Sequence, residues 1–204
     1  RDRRVCLYRA RDRTSDKSGR ARGDYHPVTA PLSGAHRVPL PRVLLQSPAG
    51  RRGAGMVGTV RALVQRVERA SVAVDGEVVG AIGSGLCVFF GVTHTDGDVE
   101  ADRLADRLAG LRVMDDDEGV MNLSVVDTDG EVLVVSQFTL YGDASRGRRP
   151  TWLAAARPEH AEPLVERVVS GLRDRGIGVA TGHFRAHMAV DLVNDGPVTI
   201  ILEA

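Results

Sequence analysis

Glu131-Val132-Leu133-Val134-Val135-Ser136-Gln137-Phe138-Thr139-Leu140-Tyr141 is the stretch on which the fold of this 204-residue chain turns. Its aliphatic run reads as a central strand, expected over 131–138. Gly142-Asp143 and a Gly/Arg/Pro-rich loop over 142–150 follow at once. A strand that runs into a loop releases backbone N–H groups from the ladder. Such groups make good oxyanion donors, because they are fixed before charge develops.

Working outward, Val60–Val67 reads as a strand. Ser71–Asp75 and Glu77–Ile82 alternate around Asp75-Gly76, a tight-hairpin signal. Leu86–Val92 is a continuous apolar run that fits a strand buried on both faces. Asp98 is placed to cap a helix running to about Ala109, with Val99, Leu104, Ala105 and Leu108 on one stripe and Gly110 as its stop. Leu111–Met114 and Met121–Val126 are expected as short strands around the acidic turn Asp115–Gly119. Pro158 to about Arg175 is amphipathic through Leu164, Val165, Val168, Val169 and Leu172. Ile177–Thr181, His187–Val193 and Val198–Leu202 are expected as three closing strands. Many strands and two principal helices without regular alternation indicate an α+β fold with mainly antiparallel sheets.

Net charge is zero over the whole chain, but its ends differ. Residues 1–55 carry 13 basic and 4 acidic side chains, and residues 56–204 carry 14 and 23. The first part is rich in Arg, Gly, Pro and Ser and lacks a sustained period. It does not carry enough apolar surface to offset the entropy of ordering it. Residues 1–59 are therefore expected to be an extension, disordered or upstream of the true translation start, with Met56 or Val60 as first residue. A basic, RNA-attracting tail is the alternative. Asp2, Asp12, Asp16 and Asp24 weaken a third idea, an organellar transit peptide. The folded unit is expected over 60–204. Its acidic balance argues against broad, sequence-independent nucleic-acid binding. Of the 27 basic residues only Lys17 is lysine, a bias that reflects GC-rich coding. Cys6 and Cys87 suggest no disulfide framework, and Cys87 should be a reduced core thiol; the expected compartment is the cytosol. No run approaches the ~20 apolar residues of a membrane helix.

A second segment, Asn194-Asp195-Gly196-Pro197-Val198-Thr199, stands near the C-terminus. Alone it reads as an ordinary turn between two strands. Together with Ser136-Gln137-Phe138-Thr139-Leu140-Tyr141 it resembles the paired signatures of the D-aminoacyl-tRNA deacylases, and the resemblance runs from about Val60 to Leu202. It implies a homodimer with a barrel-like core. It also implies hydrolysis of the ester joining tRNA to a D-amino acid or to a mischarged glycine (for example glycine on the alanine tRNA). Ser136, Gln137, Phe138 and Thr139 would line the pocket for the terminal adenosine, with Phe138 against the adenine and Thr139 beside the scissile carbonyl. Gly196 and Pro197, joined by a cis bond, would reach into the partner subunit's pocket and exclude L side chains. Arg66 and Asn194 would support them.

No Ser/His/Asp set accompanies Thr139, so a mechanism assisted by the substrate's ribose 2′-hydroxyl is favoured over a threonine nucleophile. Arg66 is otherwise a solvated strand-face cation. Arg146, Arg148 and Arg149 are either phosphate contacts for the tRNA acceptor end or a solvated loop. No metal or organic cofactor is expected. His183 and His187 lack the companion Glu of a zinc helix, and Asp115–Gly119 misses the ligand spacing of a calcium loop. Three departures from the family pattern lie within the body, Gly142 where Ala is usual, Thr151-Trp152 where Ser-Phe is common and His183 where Arg is frequent; the extension over 1–59 is the largest. A non-catalytic nucleic-acid-binding protein on the same fold is the first rival reading, and an editing module attached to a synthetase the second.

Overall fold

The computed structural model describes residues 59–145 and 147–204. The expected extension over 1–59 thus lies, but for Thr59, outside the described residues. The fold is organised by one long strand, β1 (Arg61–Val74), which serves three partners. Its first half pairs antiparallel with β3 (Gly85–Gly91) from Arg61↔Gly91 to Val67↔Gly85. Its second half pairs with β2 (Glu77–Ile82) from Ala70↔Ile82 to Val74↔Glu77. Asp75 and Gly76 join those two strands with φ of 52° and 87°, the left-handed pair that a two-residue hairpin demands. The opposite edge of β1 is followed for its whole length by the last strand, β8 (Ala189–Glu203).

Beyond β3 the sheet continues in parallel through β6 (Glu131–Ser136) to β7 (Gly178–Thr181). A short antiparallel pair, β4 (Met114–Asp115) and β5 (Met121–Leu123), stands apart. The two edges of the main sheet, β2 and β7, have no ladder between them but come close. A Cβ at Gly80 of β2 would lie 2.6 Å from the Thr181 carbonyl oxygen of β7. The sheet is therefore curled nearly into a barrel, as expected, although β3, β6 and β7 run parallel.

The curl explains the continuous apolar runs. In β3, Leu86, Val88 and Phe90 face one core, and Cys87 faces another. In β6, Val132 and Val134 belong to the first core, Leu133 and Val135 to the second. The first core lies under two helices, α1 (Asp98–Ala109) and α2 (Pro158–Arg173), and contains Leu104, Leu108, Leu164, Val168 and Leu172. The second fills the inside of the curled sheet with Val67, Val72, Ile82, Cys87, Leu133 and Val135. A strand covered on both faces needs no polar alternation. Burial also pushes the Cys87 thiol up to about 12, so it stays protonated as a core residue.

Several boundaries differ from expectation. Gly97, not Asp98, takes the N-cap of α1, with the Glu100 carboxylate accepting its N–H at 2.9 Å. Val99 is exposed, and Ala101 takes its place on the buried stripe. Val99 is five positions, about 140° of helix rotation, from Leu104. The strands expected over 60–67 and 71–75 are one, as are those over 187–193 and 198–202. The piece expected over 111–114 shrinks to β4, where the Val113 N–H turns back to the Leu111 carbonyl at 3.1 Å, and that over 121–126 to β5, because Ser124 and Asp127 close a turn by mutual hydrogen bonds. The strand expected over 131–138 stops at Ser136. No helix among the described residues is long and apolar enough to cross a membrane.

Candidate active site

At the end of β6 the Gln137 N–H donates to the Phe90 carbonyl at 2.7 Å, and the chain then turns into a single 3-10 turn, Phe138–Tyr141. The first bond of that turn runs from the Leu140 N–H to the Gln137 carbonyl, at 3.2 Å. The N–H groups of Phe138 and Thr139 open the turn and so have no acceptor within it. Glycine at 91 permits the approach: a Cβ there would meet the Gln137 oxygen at 3.0 Å and Leu140 at 3.2 Å. The Gln137 side-chain amide donates to the Thr139 hydroxyl, which holds both side chains on the turn. Tyr141 caps the far end, its hydroxyl donating to the Thr59 carbonyl. Burial, then the nearby Asp96 carboxylate, pushes the Tyr141 phenol well above its ordinary range.

The turn borders a cavity of about 560 Å³. Ser136, Gln137 and Phe138 line it; Thr139 does not. Its other walls come from Trp152 and Ala155–Pro158, from Ala161 and Val165 of α2, and from Phe184–Met188. Phe138, 57% exposed, meets Trp152 edge to face with ring centroids 5.5 Å apart. Arg157, Arg185 and His187 are exposed lining residues, and the two guanidiniums give the cavity a cationic rim. Among the described residues the lining contains no carboxylate and no cysteine. Among the described residues no group of three or more His, Cys, Asp or Glu is placed to hold a metal ion.

Sequence reading missed the Arg157, Arg185 and His187 rim, because those residues converge only through the packing of α2 and the 182–188 loop on the sheet. Arg148 and Arg149, singled out as a cluster, are exposed but absent from the lining. Arg146 lies outside the described residues.

The second motif forms a bulge within β8, not a turn between two strands. Gln65 pairs with Thr199 and Val67 with Asn194, so two steps on β1 answer five on β8. The Asn194 side-chain amide closes the neck of the bulge, donating to the Arg66 carbonyl at 2.9 Å and to the Val198 carbonyl at 3.0 Å. Arg66, expected as either a support or a solvated cation, is 6% exposed. Its guanidinium reaches Asp195 Oδ2 at 2.9 Å on one side. On the other it donates to the Val113 carbonyl at 2.8 Å and to Asp115 Oδ1 at 2.9 Å. Gly196 and Pro197 are exposed at the crest. Their peptide is cis, the isomer that the resemblance implies, and the Gly196 φ is +128°. A Cβ at Gly196 would lie 2.7 Å from Val198 Cγ2 and 2.8 Å from its nitrogen.

Turn and bulge are not brought together within one chain. Arg66 sits opposite Leu86 on β3, and Ser136 opposite Phe90. Four residues of strand, roughly 13 Å, separate the two levels. Gly196 and Pro197 do not line the cavity of their own chain.

Most of the described chain matches a known family. The family model described as D-Tyr-tRNA(Tyr) deacylase matches residues 63–203. A D-aminoacyl-tRNA deacylase of Symbiobacterium thermophilum is 58% identical over 145 residues, 71% of this chain and 96% of that protein. One from Thermotoga petrophila is 56% identical over 145 residues, 71% of this chain and 97% of its own length. Among solved structures, the c-Myc DNA unwinding element binding protein is 40% identical with a TM-score of 0.66, over 71% of this chain and 98% of that one. A probable eukaryotic D-amino acid tRNA deacylase shares the fold at 16% identity, with a TM-score of 0.63 over 72% of this chain and 100% of that one.

Proposed function

Since the chain belongs to the D-Tyr-tRNA(Tyr) deacylase family, we propose that it proofreads the handedness of aminoacyl-tRNA with a rigid piece of its own backbone. It is a hydrolase, a D-aminoacyl-tRNA deacylase. In the proposed reaction the terminal adenosine enters the cavity beside Phe138. Water attacks the ester carbonyl, and the N–H groups of Phe138 and Thr139 receive the developing oxyanion. The bond from that carbon to the ribose 3′-oxygen then breaks. The water's proton passes by way of the neighbouring 2′-hydroxyl to the departing 3′-oxygen, leaving a free amino acid and tRNA. The observation that favours this route over a protein base is the cavity lining, which among the described residues offers no carboxylate and only one imidazole, His187, from the 182–188 loop and not from the turn. Ser136 and Gln137 shape the floor, and the Gln137 contact orients Thr139.

Selectivity is assigned to Gly196 and Pro197 of a second copy. The bulge crest is exposed, anchored from beneath by Arg66 and Asn194, and remote from its own cavity, which suits insertion into a partner's. An L side chain would collide with the inserted backbone, a D side chain would point away, and glycine would pass. This is rejection by steric exclusion rather than by tight fit. Homodimerisation is then part of the active site, mischarged glycyl-tRNA is a second substrate, and the chain acts in the cytosol. The cationic rim of Arg157 and Arg185 suits phosphates of the acceptor end better than Arg148 and Arg149 do.

The solved neighbour named for binding a DNA unwinding element supports the rival reading, a nucleic-acid-binding protein. A deacylation assay with D-tyrosyl-, L-tyrosyl- and glycyl-tRNA, on the full chain and on a shortened one starting at Val60, separates the two. Release of D-tyrosine and glycine but not L-tyrosine supports the enzyme. Duplex binding with a steep salt dependence and no ester cleavage supports the rival.

A further inference from the structure

Gly142 is a glycine whose backbone does not ask for one. Its φ of −68° and ψ of 127° are open to any residue. What excludes a side chain is its neighbours: an added Cβ would lie 2.5 Å from Trp152 Cζ3 and 3.2 Å from Cε3, and 3.0 Å from the Thr139 carbonyl oxygen. The benzo edge of the indole therefore rests on bare main chain. The indole also meets Phe138, at 77° between the ring planes. Gly142 and Trp152 flank a loop whose base is clipped by two hydrogen bonds between Asp143 and Thr151, both 2.9 Å. The segment after Trp152 is stitched to the end of β3 through Ala156 N–H to the Val92 carbonyl at 2.9 Å and the Thr93 hydroxyl to the Ala154 carbonyl at 2.5 Å. Trp152 is thus held from three sides: its seat on Gly142, the clipped loop, and the stitch to β3. Its ring and that of Phe138 are neighbouring walls of the cavity.

We infer that Trp152 is a positioning residue for substrate binding, holding Phe138 edge-on at the cavity wall, and that Gly142 is the seat that admits its indole. This rests on the reading of the cavity as the place where the substrate's terminal base is received. Edge-to-face rings prefer a defined angle, so a seated indole limits the rotation of an otherwise exposed Phe138. A displaced indole frees that ring and pushes into the cavity. The loss should fall on binding of the base, not on the oxyanion donors of the turn. Phenylalanine at 152 would lack the benzo edge and relieve the closest contact of a Cβ at 142, leaving the Thr139 carbonyl oxygen at 3.0 Å.

The test is a double-mutant cycle with D-tyrosyl-tRNA as substrate, G142A and W152F made singly and together. G142A should raise KM by about tenfold with kcat within about twofold, W152F should raise KM by about threefold, and the double variant should match W152F. Effects that multiply, or a G142A enzyme with unchanged KM, would overturn the inference. Should G142A fail to fold, a folded double variant upholds the coupling and an unfolded one refutes it. Trp152 is the chain's single tryptophan, so its fluorescence reports the same contact without turnover. G142A should shift its emission to the red and weaken quenching by adenosine monophosphate; identical spectra would count against the seat. Should wild type fail to deacylate D-tyrosyl-tRNA, the functional reading falls, and the fluorescence comparison alone decides whether Gly142 seats the indole.

Discussion

Replacing Arg66 should loosen the whole bulge, by an amount that follows from its partners. Its guanidinium bridges Asp195 above to Asp115 and the Val113 carbonyl below. Those carboxylates are 43% and 44% exposed, so each ion pair contributes at most about 1 kcal/mol after solvent screening. The bond to the Val113 carbonyl is buried, and leaving that oxygen unsatisfied costs about 1–3 kcal/mol. R66A should therefore lower the unfolding free energy by about 2–4 kcal/mol. In a unit of this size that is a fall in Tm of roughly 5–15 °C. R66K should recover only part of it, because one ammonium cannot span both sides of the bridge. Calorimetry and urea unfolding give the stability, and rates on D- and L-tyrosyl-tRNA give the discrimination ratio. R66A should cut that ratio more than it cuts the D-tyrosyl rate, since Asp195 beside Gly196 loses its anchor. An R66A protein that melts with wild type, or R66K indistinguishable from it, would refute the bridge as the source of rigidity.

Other outcomes follow from particular contacts. G196A combines a Cβ 2.7 Å from Val198 with a φ of +128°, so it should destabilise by about 1–2 kcal/mol and admit L-tyrosyl-tRNA; unchanged discrimination would remove the bulge from the selectivity account. T139A leaves the backbone N–H in place and should cost less than about threefold in kcat. A near-total loss would instead assign the reaction to the hydroxyl. Replacing both Arg157 and Arg185 with alanine should raise KM and flatten its salt dependence, whereas the same change at Arg148 and Arg149 should do neither. Asp96 is 2% exposed, and burial raises its carboxyl above the ordinary range, against the lowering pull of the Thr93 N–H. A raised acid binds its proton more tightly when folded, so its contribution to stability is present at low pH and lost as pH rises from the ordinary carboxylate range through the raised value. The difference between wild-type and D96N stability, measured by urea unfolding across that window, should therefore change against wild type as pH rises. A flat difference curve would rule out the buried carboxyl as its source.

Much of the architecture was legible in the residues themselves. The Asp75-Gly76 hairpin, the apolar runs of β3 and β6, and the stripes of both helices are local patterns whose physical causes act within a few residues. The two motifs pointed to the right family because short strings of backbone-demanding residues survive reading without a fold. Val99 was misplaced because its phase depends on where the helix starts, a matter decided by Gly97 and Glu100. The single long β8 was read as two strands because Asp195-Gly196-Pro197 is a turn by local rules, and only pairing along β1 keeps the strand whole on either side of the bulge.

Sequence alone therefore settled where the two helices, the Asp75-Gly76 hairpin and the apolar strands lie. Tertiary structure alone decided that Arg66 is a buried bridge, that the cavity has a cationic rim from Arg157 and Arg185, and that Gly142 and Trp152, seen in sequence as two separate departures, are one contact. The division has a physical cause. Propensity and periodicity are written over neighbouring residues, whereas a cavity wall is assembled by closing the sheet on itself, from stretches that share nothing in sequence but the surface they turn toward one another.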